Sequence, residues 1–211
     1  MEKDIIMFDF DNTLVDSLPL WYKVLDKEMF TLYGKKVDKN MPQLRVGKSN
    51  QEMAETFIKI TGINADYKQI FNDWHSKMAV YYTTKIKMIK GAKEFLYSLK
   101  KQGKTLVLAS ATQENLLKIA LKHFKIDIFD YIFTEESLNH PKYEPDFFEI
   151  ILDKLNTQAS DITFFEDSFS SIKSATSKGI ECYALLHKYN KKHKKELTKL
   201  CSKVIKDYKG M

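Results

Sequence analysis

Five short apolar runs, each closed by polar residues and each joined to a helix-spaced segment, constrain this 211-residue chain more than any other feature. They occupy residues 4–10 (DIIMFDF), 104–110 (KTLVLAS), 130–134 (DYIFT), 161–167 (DITFFED) and 180–185 (IECYAL). Runs this short and this uniformly apolar suit strands buried on both faces. Between them, helical spacing recurs at 91–101, 114–123, 145–155 and 168–178, with Pro145 placed to open one helix and Gly103 and Gly179 to end two others. Strand and helix in alternation predict an α/β fold, a Rossmann-like parallel sheet flanked by helices.

One interval breaks the alternation. Residues 15–86 hold helical patterns at 17–33, 50–59 and 65–82 and no convincing strand. The reading is a catalytic core formed by 1–14 and 87–211, with an all-helical insert at 15–86. The core ends in a basic tail, where Leu197, Leu200, Cys201, Val204, Ile205 and Tyr208 recur every three or four residues and predict an amphipathic helix docked on the core, with attachment to RNA or an anionic membrane as the alternative.

Charge and composition narrow the function classes. Of the formal +6, residues 187–211 contribute +7 and leave −1 for the rest, so there is no chain-wide case for nucleic-acid binding. No run of about 18 apolar residues predicts a membrane span. The opening MEKDIIMFDF reads as the start of a strand, not as a signal segment. Cys182 and Cys201 are too few for a disulfide scaffold and too far apart for a CxxC site. A cytoplasmic protein is expected, as a monomer or weak homodimer.

In open parallel sheets, ligands bind beyond the carboxyl ends of the strands. That rule gathers four polar clusters at one rim: Asp9, Asp11 and Thr13 after the first run, Ser110, Ala111 and Thr112 after the second, Lys142 before the Pro145 helix, and Glu166 and Asp167 after the fourth. Several carboxylates together favour a hard divalent cation, Mg2+, whose shell takes oxygen ligands. A serine and helix-start N–H groups can hold phosphate oxygens, and a lysine offsets the crowded negative charge. One aspartate can attack phosphorus while its neighbour gives a proton to the leaving group. The combination predicts phosphoryl transfer.

In these residues the chain resembles the haloacid dehalogenase superfamily, specifically its phosphatase and phosphomutase branch. The resemblance rests on Asp9-Phe10-Asp11-Asn12-Thr13-Leu14-Val15-Asp16-Ser17, Leu108-Ala109-Ser110-Ala111-Thr112, Lys142-Tyr143-Glu144-Pro145-Asp146 and Phe165-Glu166-Asp167-Ser168, in that order. It spans about residues 4–184, with the insert where this branch has its movable cap. The resemblance implies Asp9 as nucleophile, Asp11 as general acid and then base, and Lys142 as bridge between Asp9 and the phosphate. It further implies phosphate binding by Ser110, Ala111 and the first-loop residues Asn12 and Thr13. Mg2+ would be held by Asp9, the Asp11 carbonyl and Asp167, with Glu166 reaching it through water. The expected partner is a small phosphorylated metabolite.

Two positions depart from the branch: Tyr143 stands where proline is common, and Ser171 where glycine is common. Mutase members commonly carry arginine three positions after a cap glycine, whereas Asn50 follows Gly47 here. Phosphatase is therefore expected over sugar-phosphate mutase, and a non-catalytic phosphate-ligand-binding or interaction protein is the opposing class. Arg45, the only arginine, Lys48 and His75 are the specificity candidates in the insert, Arg45 for its bidentate grip on anions. Trp74 is assigned to packing. His187 and His193 are read as part of the lysine-rich stretch and not of a metal constellation.

Overall fold

The computed structural model of the protein describes residues 2–36 and 50–211. The chain divides into two compact units, Met1–Asp16 with Lys87–Met211, and Ser17–Ile86. Both connections lie side by side at the boundary: Val15 bridges Met88, and the Asp16 N–H donates to the Lys87 carbonyl at 2.9 Å.

The first unit is a six-stranded parallel sheet, in the order β3-β2-β1-β4-β5-β6. Its strands are β1 (Ile5–Phe8), β2 (Thr105–Ser110), β3 (Tyr131–Thr134), β4 (Ile162–Glu166), β5 (Glu181–Leu185) and β6 (Lys203–Ile205). The central strands are almost wholly apolar because both sheet faces are covered, and successive residues serve opposite faces. Met7, Val107, Phe164 and Cys182 pack in one layer with Phe148 of α8 (Pro145–Leu155) and Ile172 of α9 (Phe169–Ser177). Their neighbours Phe8 and Phe165 turn to the other face, where their rings stack at 4.8 Å and meet Phe95 of α5 (Ala92–Lys101). Residue-for-residue register, with Phe8 beside Leu108 and Phe165, brings the ends of β1, β2 and β4 to one level. That alignment assembles the rim.

The tail differs from the single amphipathic helix expected. Helix α10 (Lys194–Leu200) stops at Cys201, and the chain then runs as β6 parallel to β5. The β-branched pair Val204-Ile205 suits a strand. The edge of β5 supplies the backbone partners: Ser202 N–H donates to the Cys182 carbonyl at 3.0 Å and Leu186 N–H to the Ile205 carbonyl at 2.7 Å. Leu197 and Tyr208, assigned to one helical face, are both buried but on opposite sides of the sheet. Leu197 packs with the α8–α9 layer, whereas the Tyr208 ring stacks on Phe95 at 5.3 Å.

The second unit is helical. Its first helix, α1 (Leu18–Lys23), widens into a π-helical turn at Val24–Glu28 and closes as α2 (Met29–Leu32); α3 (Asn50–Thr61) and α4 (Tyr67–Thr84) follow. The Asp66 carboxylate caps α4 by accepting from Gln69 N–H at 2.8 Å. Trp74 is buried in this unit's interior, as its bulk requires, and Phe30 meets Phe57 edge-on at 4.9 Å. No helix among the described residues is long and apolar enough to cross a membrane.

Candidate active site

The rim is built from strand ends and the loops they feed. Beyond β1, the chain turns sharply through Asn12 (φ +61°), whose N–H donates to the Val15 carbonyl at 2.6 Å; asparagine tolerates that left-handed conformation better than most side chains. Asp9 thereby stays at the strand end, 4% exposed, and Asp11 stands higher and partly accessible. Thr112, between β2 and α6 (Glu114–Phe124), donates its hydroxyl to Asp11 Oδ2 at 2.5 Å. Ser110 Oγ accepts from the Thr112 N–H at 3.1 Å within the second loop, and the Thr112–Asp11 bond ties that loop to the first.

Lys142 lies at the centre. Its ammonium donates to Asp9 Oδ1 and to the Ala109 carbonyl (3.2 Å) and lies 2.8 Å from Glu166 Oε2. The Lys142 N–H in turn donates to Glu135 Oε1 at 2.8 Å, from the short helix α7 (Glu135–Leu138) after β3. Glu166 is fully buried, and its Oε1 accepts from the Asp167 and Ser168 N–H groups, each at 2.9 Å.

One ammonium serves two buried carboxylates, and the imbalance is visible in their acidities. Burial and the neighbouring Glu166 push Asp9 from 3.8 up to about 7, against the opposing pull of Lys142. Burial also raises Glu166, with Asp167 adding to the effect. Burial alone would lower Lys142, but Asp9 and Glu166 outweigh it and hold the ammonium charged.

Asp9, Glu166 and Asp167 bring three carboxylate oxygens within 4.8 Å of one another. An all-oxygen donor set with excess negative charge fits a hard divalent cation such as Mg2+. A cation there would supply the positive charge that one lysine leaves short.

Residues 6–185 match the haloacid dehalogenase-like hydrolase family. The chain belongs to this family. As a haloacid dehalogenase-like enzyme it is a phosphoric monoester hydrolase by type. Among its relatives is a phosphorylated carbohydrates phosphatase of Thermotoga maritima, 23% identical over 189 residues, covering 89% of this chain and 87% of the relative. A phosphoglycolate phosphatase of Pseudomonas fluorescens is 27% identical over 199 residues, covering 88% and 70%. In fold, the chain superposes on CbbY from Rhodobacter sphaeroides, solved in complex with phosphate, with a TM-score of 0.83 at 18% identity over 99% of this chain and 96% of that one.

Within this haloacid dehalogenase-like site, Asp9, Asp11, Asn12, Thr13, Ser110, Ala111, Glu166 and Asp167 fall on the strand ends or in the loops that follow them, and Lys142 lies between α7 and α8. Thr13 differs in surroundings: its Oγ1 is buried with no hydrogen-bond partner among the described residues, and its carbonyl accepts from Tyr208 Oη at 3.0 Å. His75 is 8% exposed within the helical unit, its Nδ1 2.6 Å from the Phe71 carbonyl and its ring against Phe71 and Trp21. Arg45 and Lys48 lie outside the described residues. The family's usual glycine position, Ser171, is buried in α9, and the Tyr143 carbonyl accepts from Ser174 Oγ.

Glu135 and Asn190 went unread in the sequence, while His187, read as part of a lysine-rich stretch, and Tyr208, read as part of a helical face, prove to contact the site. Each reaches the site from a distant segment. His187 Nε2 lies 2.8 Å from Asp167 Oδ2, and Asn190 Nδ2 donates to the Asp167 carbonyl at 2.9 Å. The available signal was position: His187 stands two residues beyond β5, on the same rim as the four recognised clusters.

Proposed function

We propose that the protein hydrolyses a small phosphomonoester by transferring the phosphoryl group to Asp9 and then to water. The observation that carries this reading is the buried Lys142 ammonium spanning Asp9 and Glu166, beside an accessible Asp11 held by Thr112. Asp9 carboxylate attacks phosphorus, the ester P–O bond breaks, and Asp11 gives its proton to the departing alkoxide. Asp11, now a base, takes a proton from water as that water displaces phosphate from Asp9. Lys142 keeps Asp9 in place and offsets charge as the anionic substrate approaches. Ser110 and the first-loop backbone hold the phosphate oxygens.

Asp9, the Asp11 carbonyl and Asp167 would hold Mg2+, with Glu166 in support. When bound, the ion supplies the positive charge that keeps Asp9 ionised beside an anionic substrate. The named relatives act on phosphorylated carbohydrates and phosphoglycolate, so compounds of these two kinds lead the proposed substrate range. Two unpaired cysteines, Cys182 and Cys201, suit a reducing cytoplasmic setting.

The test is phosphate release from hexose phosphates, phosphoglycolate and mononucleotides, with Mg2+ and with EDTA. Mg2+-dependent release from at least one small ester is expected. Asp9→Asn should abolish the phosphorylated enzyme, whereas Asp11→Asn should still accept phosphate from an activated aryl ester and release it slowly. Normal turnover by Asp9→Asn would refute the covalent route. Isomer formation outrunning phosphate release would make the enzyme a mutase.

A further inference from the structure

We propose that His187 is a positioning residue that sets the strength of the metal site by holding the Asp167 carboxylate in one orientation. The inference rests on the Mg2+ reading above and adds a residue to it. The three carboxylates that converge at the rim are not equally supported. Lys142 holds Asp9, and two backbone N–H groups and Lys142 hold Glu166, both buried. Asp167 is the most accessible of the three, and an accessible carboxylate turns freely about its side-chain bonds unless something holds it.

Among the described residues, that hold comes from His187, whose Nε2 is 2.8 Å from Asp167 Oδ2. The ring's own surroundings decide which nitrogen carries the proton. Tyr189 N–H donates to His187 Nδ1 at 3.1 Å, so Nδ1 accepts, and a neutral ring has its proton on Nε2, facing Asp167. Nε2–H therefore donates to Oδ2 and leaves Oδ1 to face a cation. With the proton on Nε2, the Asn12 side-chain amide, 3.0 Å from the same ring nitrogen, faces it with its oxygen and brings the first acidic loop against the ring as well.

The histidine is itself held. Asn190 is buried, accepts the His187 N–H on Oδ1 at 2.9 Å, and donates Nδ2 to the Asp167 and Leu185 carbonyls at 2.9 and 2.7 Å. Loop 186–190 is thus folded onto Asp167 by both backbone and side chain. The arrangement is a hydrogen-bonded partner for a candidate ligand, fixed in tautomer and position. Removing partners of this kind typically weakens metal affinity by about 10–100-fold.

The test measures binding directly, with Mn2+ as the probe because it shares the oxygen-rich octahedral preference of Mg2+. Free Mn2+ is followed by electron paramagnetic resonance with the full-length protein and with Asp167→Asn, His187→Ala and His187→Gln. His187→Ala should bind Mn2+ about 10–100-fold more weakly than the unaltered protein, and its half-activating Mg2+ concentration should rise by a similar factor, while kcat at saturating Mg2+ changes little. His187→Gln presents an N–H donor at comparable reach and should recover most of the affinity. Unchanged Mn2+ affinity in His187→Ala, or equal loss in the Ala and Gln variants, would overturn the inference. Failure of the metal reading itself looks different: the unaltered protein would bind no Mn2+, or Asp167→Asn would bind it undiminished.

Discussion

Asp9→Asn should make the metal-free protein more stable while abolishing turnover, and the size of the gain follows from the buried charge count. Asp9, Glu166 and Lys142 form a cluster with two acids and one base, and Asp9 is pushed from 3.8 to about 7 by burial first and by Glu166 second. At about 1.36 kcal/mol per unit, the ionised Asp9 disfavours the folded state by up to about 4 kcal/mol. The sign follows from linkage: a carboxyl group whose folded value is raised stabilises most below its unfolded value. That contribution is lost as pH rises from about 4 through 7. Asparagine removes the titration and leaves Lys142 matched with Glu166 alone. In EDTA, urea unfolding at pH 8 should show the variant more stable by as much as about 4 kcal/mol, with a smaller difference at pH 5. Mg2+ should narrow or reverse the order, because the unaltered protein gains more from binding. An Asp9→Asn protein no more stable than its parent at pH 8 in EDTA would refute the electrostatic account of the cluster.

Three further substitutions probe what supports the site. Lys142→Met leaves Asp9 and Glu166 buried without their cation, and should cost about 3–5 kcal/mol at pH 8 by urea unfolding, less at pH 5, where both acids take up protons. Gly91→Ala places a side chain at φ +78° with its Cβ 2.9 Å from the Tyr208 carbonyl carbon, so a loss of at least about 2 kcal/mol is expected in thermal or urea unfolding. Tyr208→Phe keeps the stacked ring but strips the Thr13 carbonyl of its buried donor; about 1–3 kcal/mol should be lost, and unchanged stability would show that this contact is dispensable.

The parallel α/β fold was legible in the chain because its cause is local and repeated: apolar runs too short for anything but buried strands, alternating with helix-spaced segments. The acidic and phosphate-binding residues were legible for a related reason. Strand ends in such a sheet fall on one rim, so Asp9, Ser110 and Glu166 could be grouped from their place after each run. The tail was not legible, because apolar residues at three- and four-residue intervals fit a helix as well as a helix followed by a strand, and the choice was made by the open edge of β5. Nor were His187, Asn190, Glu135 and Tyr208. A histidine in a lysine-rich stretch has no periodicity that names its partner, and the 20 residues separating it from Asp167 are bridged only when β5 lies beside β4. Periodicity and motif depend on neighbours along the chain, whereas the charge balance around Asp9 and the hold on Asp167 depend on neighbours in space, and those exist only once the sheet has closed its register.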